Sequence, residues 1–441
     1  MKRILLVPII LAVKLMVSVL RASGRGSGTA LPGYLVGKYF PFTFDLLISQ
    51  IPNVIAVTGT NGKTTTQTML NAILSEVDGV KILRNGAGAN LSQGILSELL
   101  KRSSPWGTLS FTHAILEVEE ATLPRIATLL HPTVIAVTNL YRDQLDAYGE
   151  TDITEKLIRD GIAQCPQARV VVNGDDPRTS RLTETLDNPT HRVSLPAAYA
   201  KDLPYEGEFR GTEAITRNIL RSPTLQVNAD LTTDIDIAGD VNGVPVNDLH
   251  VSIASPGFFH VYNALTAITI AKLLDISDAC IKRGFEQFDP AFGRGEVLVK
   301  QQGQKRVNYQ LLLVKNPASF TLSLDLVKAI APLKVIFAIN DNTADSKDVS
   351  WLWDSQLERL NGAAIDWILC TGIRAKDMCV RLKYAFEDPA QVSRISVDEG
   401  IRNTIDESFG RSHDGDTVYV LPTYTAMLEF RKLMGKSLDQ V

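Results

Sequence analysis

From residue 53 onward the chain repeats one phrase: a short β-branched run, a stop at polar or glycine residues, then a helical stretch. Val54-Ile-Ala-Val57 runs into Thr58-Gly-Thr-Asn-Gly-Lys-Thr64, and Ala114-Ile-Leu-Glu-Val118 into Glu119-Glu120. Val134-Ile-Ala-Val137 runs into Thr138-Asn139, and Val170-Val-Val172 into Asn173-Gly-Asp-Asp176. Strands this uniformly apolar are covered on both faces, which means a parallel sheet flanked by helices. Ligands of such sheets bind at the carboxyl ends of the strands, where these polar residues sit.

Residues from about 185 to 255 break the rhythm, with Pro, Gly, Asn and Asp between short alternating pieces such as Ile235-Asp-Ile-Ala-Gly-Asp-Val241. This stretch reads as an antiparallel or irregular insert. Asn263 to Leu274 then reads as a buried helix. A second strand–helix series begins near residue 305, with Leu311-Leu-Leu-Val314, Val335-Ile-Phe-Ala338, Trp367-Ile-Leu-Cys370 and Val418-Tyr-Val-Leu421 each running into polar residues. Three parts follow: an amino-terminal arm and helix over residues 1–50, a central α/β domain over 51–300, and a Rossmann-like α/β domain over 301–441. Gly293-Arg-Gly295 and Gln301-Gln-Gly-Gln-Lys-Arg306 mark the joint.

The chain's 441 residues, 45% hydrophobic and 21% charged, exclude a disordered chain, a collagen-like repeat and a coiled coil. The net charge of −4 excludes a molecule basic throughout that wraps nucleic acid. The cysteines, Cys165, Cys280, Cys370 and Cys379, are too scattered for a disulfide framework or a paired-thiol zinc site, so zinc is not expected and a reducing cytoplasm is. Charge is uneven, however: Lys2, Arg3, Lys14, Arg21, Arg25 and Lys38 precede the first acid, Asp45, so the arm carries +6. Its apolar run, Ile4 to Leu20, is interrupted by Pro8 and Lys14, which makes it a poor membrane span. It reads as a first helix packed on the domain, and also as a basic apolar helix lying on an anionic inner leaflet; the two are compatible.

Gly59-Thr-Asn-Gly-Lys63-Thr64, between a strand and a helix, carries the sharpest chemistry. Glycines let backbone N–H groups approach a phosphate, the helix start adds positive potential, Lys63 reaches the terminal phosphates, and the Thr64 hydroxyl suits Mg²⁺. The spacing G-x-x-x-x-G-K-[ST] is not met, because Val57 stands where its first glycine would be.

Thr58-Gly-Thr-Asn-Gly-Lys-Thr-Thr65 resembles the ATP loop of the Mur ligases, which join amino acids to the peptidoglycan precursor. The likeness runs from Gly28-Thr-Ala-Leu-Pro-Gly33 to the last helix. Thr138 to Glu150, Leu312-Leu-Val-Lys-Asn-Pro-Ala318, Asn340 to Asp354 and Leu421-Pro-Thr-Tyr-Thr-Ala-Met427 resemble one specialised branch, MurT. The resemblance implies a Mur ligase-like fold with a P-loop ATPase central domain and ATP bound between it and the carboxy-terminal domain. It implies ATP-dependent amidation of the α-carboxylate of D-glutamate in the lipid II stem peptide, through an acyl phosphate. Ammonia would come from a class I glutaminase, GatD, in a heterodimer. A folylpolyglutamate synthase-like ligase and a nucleotide-binding scaffold without turnover stay open as alternatives.

Residue by residue, the resemblance assigns Gly59, Thr60, Asn61, Gly62, Lys63, Thr64 and Thr65 to the phosphates, with Thr64 and Glu117 holding magnesium. Asn139 and Asp143 shape a second metal region, which is in doubt because Gln144 replaces the metal-binding histidine of other Mur ligases. The carbamylated lysine of those enzymes has no clear counterpart; Lys156 is nearby but reads as a surface lysine. His260, Asn263 and Arg294 match nucleotide-contacting positions, although His260 also reads as a core histidine and Asn263 as a helix cap. Glu119 and Glu120 read equally well as solvated strand-end acids. In the last domain Asp341, Asp345, Asp348 and Asp354 surround Trp351 and Trp353. They read generically as a capped helix start with tryptophans in the core. On the resemblance, one carboxylate completes the partner's Cys–His pair, Asp348 first and Asp345 second.

Overall fold

A computed structural model describes residues 2–22, 30–86, 89–141, 151–200, 212, 215–228, 232–255, 257–289, 294–328, 332–345 and 347–436. Asp143 and Gln144 lie outside the described residues. The chain divides into two compact units, one of residues 1–140, 151–254 and 258–288, the other of 289–441 with the short pieces 141–150 and 255–257.

In the first unit ten strands among the described residues form one sheet: β1 (Asn53–Thr58), β2 (Ile82–Arg84), β3 (His113–Glu117), β4 (Val134–Val137), β5 (Arg169–Asn173), β6 (Thr190–Ser194), β7 (Ile219–Arg221), β8 (Leu225–Val227), β9 (Thr233–Val241) and β10 (Val244–Ile253). Their order is β10-β9-β7-β6-β5-β4-β1-β3-β2, with β8 paired to β9. The stretch from β2 to β7 is parallel, and β1, β3 and β4 are buried along almost their whole length. The segment expected as an insert therefore extends this same sheet. β6 and β7 continue it in parallel, and only β8, β9 and β10 turn antiparallel. Burial along the second half of β10 alternates, as for a strand with one wet face.

Helix Lys63–Ser75 follows β1 and packs beside helix Phe258–Leu273, which has almost no polar face and is buried along its length. On the other side of the sheet lie three amino-terminal helices, Lys2–Ala22, Leu31–Tyr39 and Phe42–Ile48. The first runs straight through Pro8 and Lys14 because its inner face is held: Leu6, Ile10, Val13 and Val17 are buried in the same core as β1 and β3. Each such side chain contributes about 1.5–3 kcal/mol on burial, so the four together outweigh the roughly 3 kcal/mol or more that a proline costs inside a helix.

The second unit holds β11 (Arg294–Gln302), β12 (Lys305–Leu312), β13 (Leu333–Ala338), β14 (Ile365–Thr371), β15 (Ile395–Val397) and β16 (Thr417–Pro422), ordered β11-β12-β16-β13-β14-β15. From β12 to β15 the sheet is parallel, with helices between successive strands. The hydrophilic stretch Gln301 to Arg306, expected at the joint, is instead the turn of the β11–β12 hairpin, with Gly303 at φ 62°. Paired this way, β11 belongs to the second unit, and the joint lies before it.

Candidate functional site

The carboxyl ends of β1, β3 and β4 converge on the loop from Gly59 to Gly62, and neighbouring strands hold that loop in shape. The Asn61 N–H donates to Asn139 Oδ1 at 2.9 Å, Asn139 Nδ2 returns a bond to the Asn61 carbonyl at 3.0 Å, and Thr138 Oγ1 donates to the same carbonyl at 2.6 Å. The Thr60 N–H donates to the Asn139 carbonyl at 3.0 Å. Asn139, expected in a second metal region, is thus the clamp of the loop. Gly59 (φ 116°) and Gly62 (φ 90°) adopt the left-handed backbone that glycine alone enters freely. A Cβ on Gly59 would stand 2.5 Å from Thr138 Oγ1, and one on Gly62 would stand 2.3 Å from Asn263 Oδ1.

Gly62 caps helix Lys63–Ser75, so the first N–H groups of that helix surround the loop and present a positive end to an anion. Lys63, only 9% exposed, folds back: its Nζ donates to the Gly59 carbonyl at 2.6 Å and to Glu120 Oε1 at 2.9 Å. Burial alone would raise the Glu120 pKa, but the Lys63 ammonium and hydrogen bonds bring it to about 2, so it stays ionised. The next residue, Thr64, donates from Oγ1 to Glu117 Oε2 at 3.0 Å. A hydroxyl and a carboxylate are hard oxygen donors that fit a magnesium ion, which takes its remaining ligands from water and phosphate. Among the described residues no group of three or more His, Cys, Asp or Glu side chains is assembled as a metal cluster.

Glu117 is fixed from behind. Its N–H donates to Asn85 Oδ1 at 2.9 Å, Asn85 Nδ2 donates to its carbonyl at 2.8 Å, and Gln67 Nε2 spans from Asn85 Oδ1 at 3.1 Å to the Ile115 carbonyl at 2.8 Å. The polar cluster Gln67–Asn85 ties the helix after the loop to β2 and β3. Arg84, beside Asn85, is close enough to feel the Glu117 charge, although burial dominates and lowers its pKa. Glu119 accepts from Asn90 Nδ2. Glu120, read from the sequence as a solvated strand-end acid as readily as a site residue, is instead 5% exposed and paired with the loop lysine, and sequence reasoning missed Arg84, Asn85 and Gln67. The signal for Glu120 was its place just after the end of β3, the strand that pairs directly with the one leading into the loop.

Other expected residues are placed differently. Thr65 is buried in the first turn after the loop. Asn263 lies in the second turn of helix Phe258–Leu273, not at its start, so it does not cap that helix; its amide rests on Gly62. His260 is buried on the same helix. Arg294 opens β11, and its side chain lies outside the described residues. Lys156 is on the exposed face of helix Thr151–Ala163. Asp175 and Asp176 are consumed by structure: Asp175 accepts from Tyr262 Oη at 2.7 Å and from the Leu195 N–H at 2.7 Å, and Asp176 caps helix Pro177–Leu182.

In the second unit the four aspartates separate by role. Asp345, 5% exposed, accepts from the Thr425 N–H at 2.7 Å and from the Thr425 hydroxyl, which fixes it to the last helix. Asp341 pairs with Arg374 at 2.6 Å. Asp348 is half-buried and makes a local turn, accepting from the Ser350 N–H at 2.8 Å, a bond that holds its pKa below the usual carboxylate range. Asp354 is exposed. Trp351 packs edge-on against Phe320 as a core residue would, whereas Trp353 is 54% exposed. It stacks at 5.7 Å on Tyr384, itself 76% exposed, beneath the Arg381 guanidinium.

The chain matches the Mur ligase middle domain over residues 57–271 and the MurT ligase C-terminal domain over residues 313–427. It is 32% identical to the lipid II isoglutaminyl synthase (glutamine-hydrolyzing) subunit MurT of Streptococcus pneumoniae, with 94% of each chain covered. The chain belongs to the MurT family. Among solved structures it is similar to MurF from Acinetobacter baumannii, at a TM-score of 0.66 and 18% identity, over 92% of this chain and 81% of that one. It is also similar to Thermotoga maritima MurF in complex with ADP, at a TM-score of 0.62 and 14% identity, over 92% and 84% of the two chains. The likeness to MurF is one of fold, and this MurT-family chain shares with it the mixed α/β sheets just described.

Proposed function

We propose that this chain is the synthetase subunit of a lipid II amidating enzyme, converting the α-carboxylate of the stem D-glutamate to an amide with ATP and ammonia. The observation that carries the reading is the loop at the end of β1, where Lys63, Thr64 and Glu117 are gathered around a helix start. A carboxylate is a poor electrophile, so phosphoryl transfer to give an acyl phosphate is the step such a site would accelerate. That step is mostly positioning and charge neutralisation. Lys63 would exchange Glu120 for the β- and γ-phosphates, and the loop N–H groups would hold the same oxygens. Thr64 and Glu117 would hold magnesium, which supplies charge neutralisation at the phosphates. Asn263 and His260 are proposed around the nucleotide, with Asn263 acting through Gly62.

Ammonia would come from a class I glutaminase bound to the second unit. Asp348 is preferred to Asp345 for that role: its bonds are local, to Ser350, and it is the more exposed of the two, while both oxygens of buried Asp345 hold Thr425 and the adjoining turn. Exposed Trp353 and Tyr384 are the kind of aromatic anchors that protein interfaces bury. A folylpolyglutamate synthase-like reaction would leave the match to the MurT C-terminal domain over residues 313–427 without a purpose.

Single-turnover ADP release, measured on the purified heterodimer with lipid II and ammonium, tests the reading. Release that requires both substrates supports it. A chain that binds nucleotide and releases none is a scaffold, and the proposal is then wrong.

A further inference from the structure

Helix Lys2–Ala22 is apolar on two opposite faces. One is buried in the core; on the other, Leu5, Leu11, Leu15 and Val19 are 47%, 50%, 68% and 58% exposed. Leu11, Leu15 and Val19 follow one another at four-residue spacing, so they form a continuous stripe. Helix Leu31–Tyr39 packs against helix Lys2–Ala22 and, with the residue that follows it, exposes Leu31, Tyr34, Tyr39 and Phe40, each 40% exposed or more. A helix facing water ordinarily shows charge there, and an exposed apolar stripe of this kind marks a surface that something covers. Among the described residues no helix is long and apolar enough to cross a membrane, and this one cannot leave the core that holds its inner face.

We propose that this two-helix face seats the protein on an anionic lipid bilayer, lying in the interface without spanning it. Charge selects the occupant: the first 44 residues of the sequence hold six cations and no acid, while the rest of the chain carries −10, so this amino-terminal segment is opposite in charge to the remainder. A bilayer rich in anionic headgroups meets both requirements, apolar depth and negative charge, whereas a second copy would bring +6 against +6. Tyr34, Tyr39 and Phe40 suit the headgroup level, with Lys38 over the Tyr39 ring at 5.5 Å. The inference rests on the reading that the acceptor is lipid-linked, and it assigns the surface that brings the enzyme to that acceptor.

Flotation of the full-length protein with phosphatidylcholine vesicles, with and without phosphatidylglycerol, tests it. Binding is expected only to the anionic vesicles, weakened by salt, and the pair Leu11→Ser and Leu15→Glu should lower it by on the order of tenfold or more. A pair variant with an unchanged urea midpoint is the valid comparison; if it unfolds, Tyr39→Ser with Lys38→Ser, further along the face, replaces it. Equal binding to both vesicle types, no binding, or a dimer in sedimentation that the same substitutions disperse would overturn the proposal. Amidation of a water-soluble acceptor separates the two readings: intact turnover without vesicle binding sinks this surface and spares the function, and vesicle binding without turnover does the reverse.

Discussion

Replacing Glu120 by glutamine removes one charge from a buried pair and leaves the shape nearly unchanged. The Glu120 pKa falls from an ordinary 4.5 to about 2 because Lys63 and its hydrogen bonds overcome burial. That difference corresponds to about 3 kcal/mol in favour of the folded protein at neutral pH. Glutamine keeps an oxygen that can accept from Lys63 Nζ but not the charge that offsets the buried ammonium, 9% exposed, so losing that offset should cost a similar amount. With about 3 kcal/mol per molar urea expected for a unit of this size, the urea midpoint of Glu120→Gln should drop by roughly 1 M at pH 7. The sign with pH follows from a carboxylate whose folded pKa is depressed. Its contribution is complete above 4.5 and is lost as pH falls toward 2, so the gap between wild type and variant should narrow at pH 3. A nonhydrolysable ATP analogue should restore much of the variant's stability, because its phosphates offer Lys63 another anion. Equal midpoints at pH 7, or a gap as wide at pH 3 as at pH 7, would refute the pairing as the source of the stability.

Lys63→Ala should lower single-turnover ADP release by about 10²–10³-fold while partner binding is unchanged in a pull-down. Gly62→Ala forces a Cβ to within 2.3 Å of the Asn263 amide at a backbone φ of 90°, so nucleotide binding by calorimetry should be lost; Asn263→Ala in the same chain should recover part of it. Asp348→Asn should abolish glutamine-driven amidation and keep ammonium-driven amidation, and loss of both would remove Asp348 from the partner's site. His191, fully buried on β6, has its pKa lowered to about 4 by burial first. Folded protein then binds fewer protons than unfolded between about pH 6.5 and 4, so stability should fall through that window on acidification, and His191→Asn should flatten the slope.

The repeated strand–stop–helix phrase carried the parallel sheets, because covered strands must be apolar throughout and the chain can satisfy that only by alternating. The loop was legible for a similar reason: two glycines and a lysine at a strand end have few other uses. What stayed hidden depends on which strands become neighbours. Nothing in the spacing of 57 residues brings Glu120 to Lys63, and Asn85 reaches Glu117 only because β2 lies beside β3. The hairpin of β11 and β12 was hidden by its polar turn, which reads as a linker when its partner strand is unknown. Asn263 was misplaced because the helix begins at Phe258, five residues before its apolar run becomes regular.

Leu6 reaches so far into the fold that its methyl lies 2.0 Å from where a Cβ on Gly107 would stand. The opening helix is thus a wall of the nucleotide-binding unit as well as its outer skin. Trimming the chain to make it behave better in solution would strip that wall and open the interior to water. Detachment from any surface has to be sought by repainting the outer side chains one at a time.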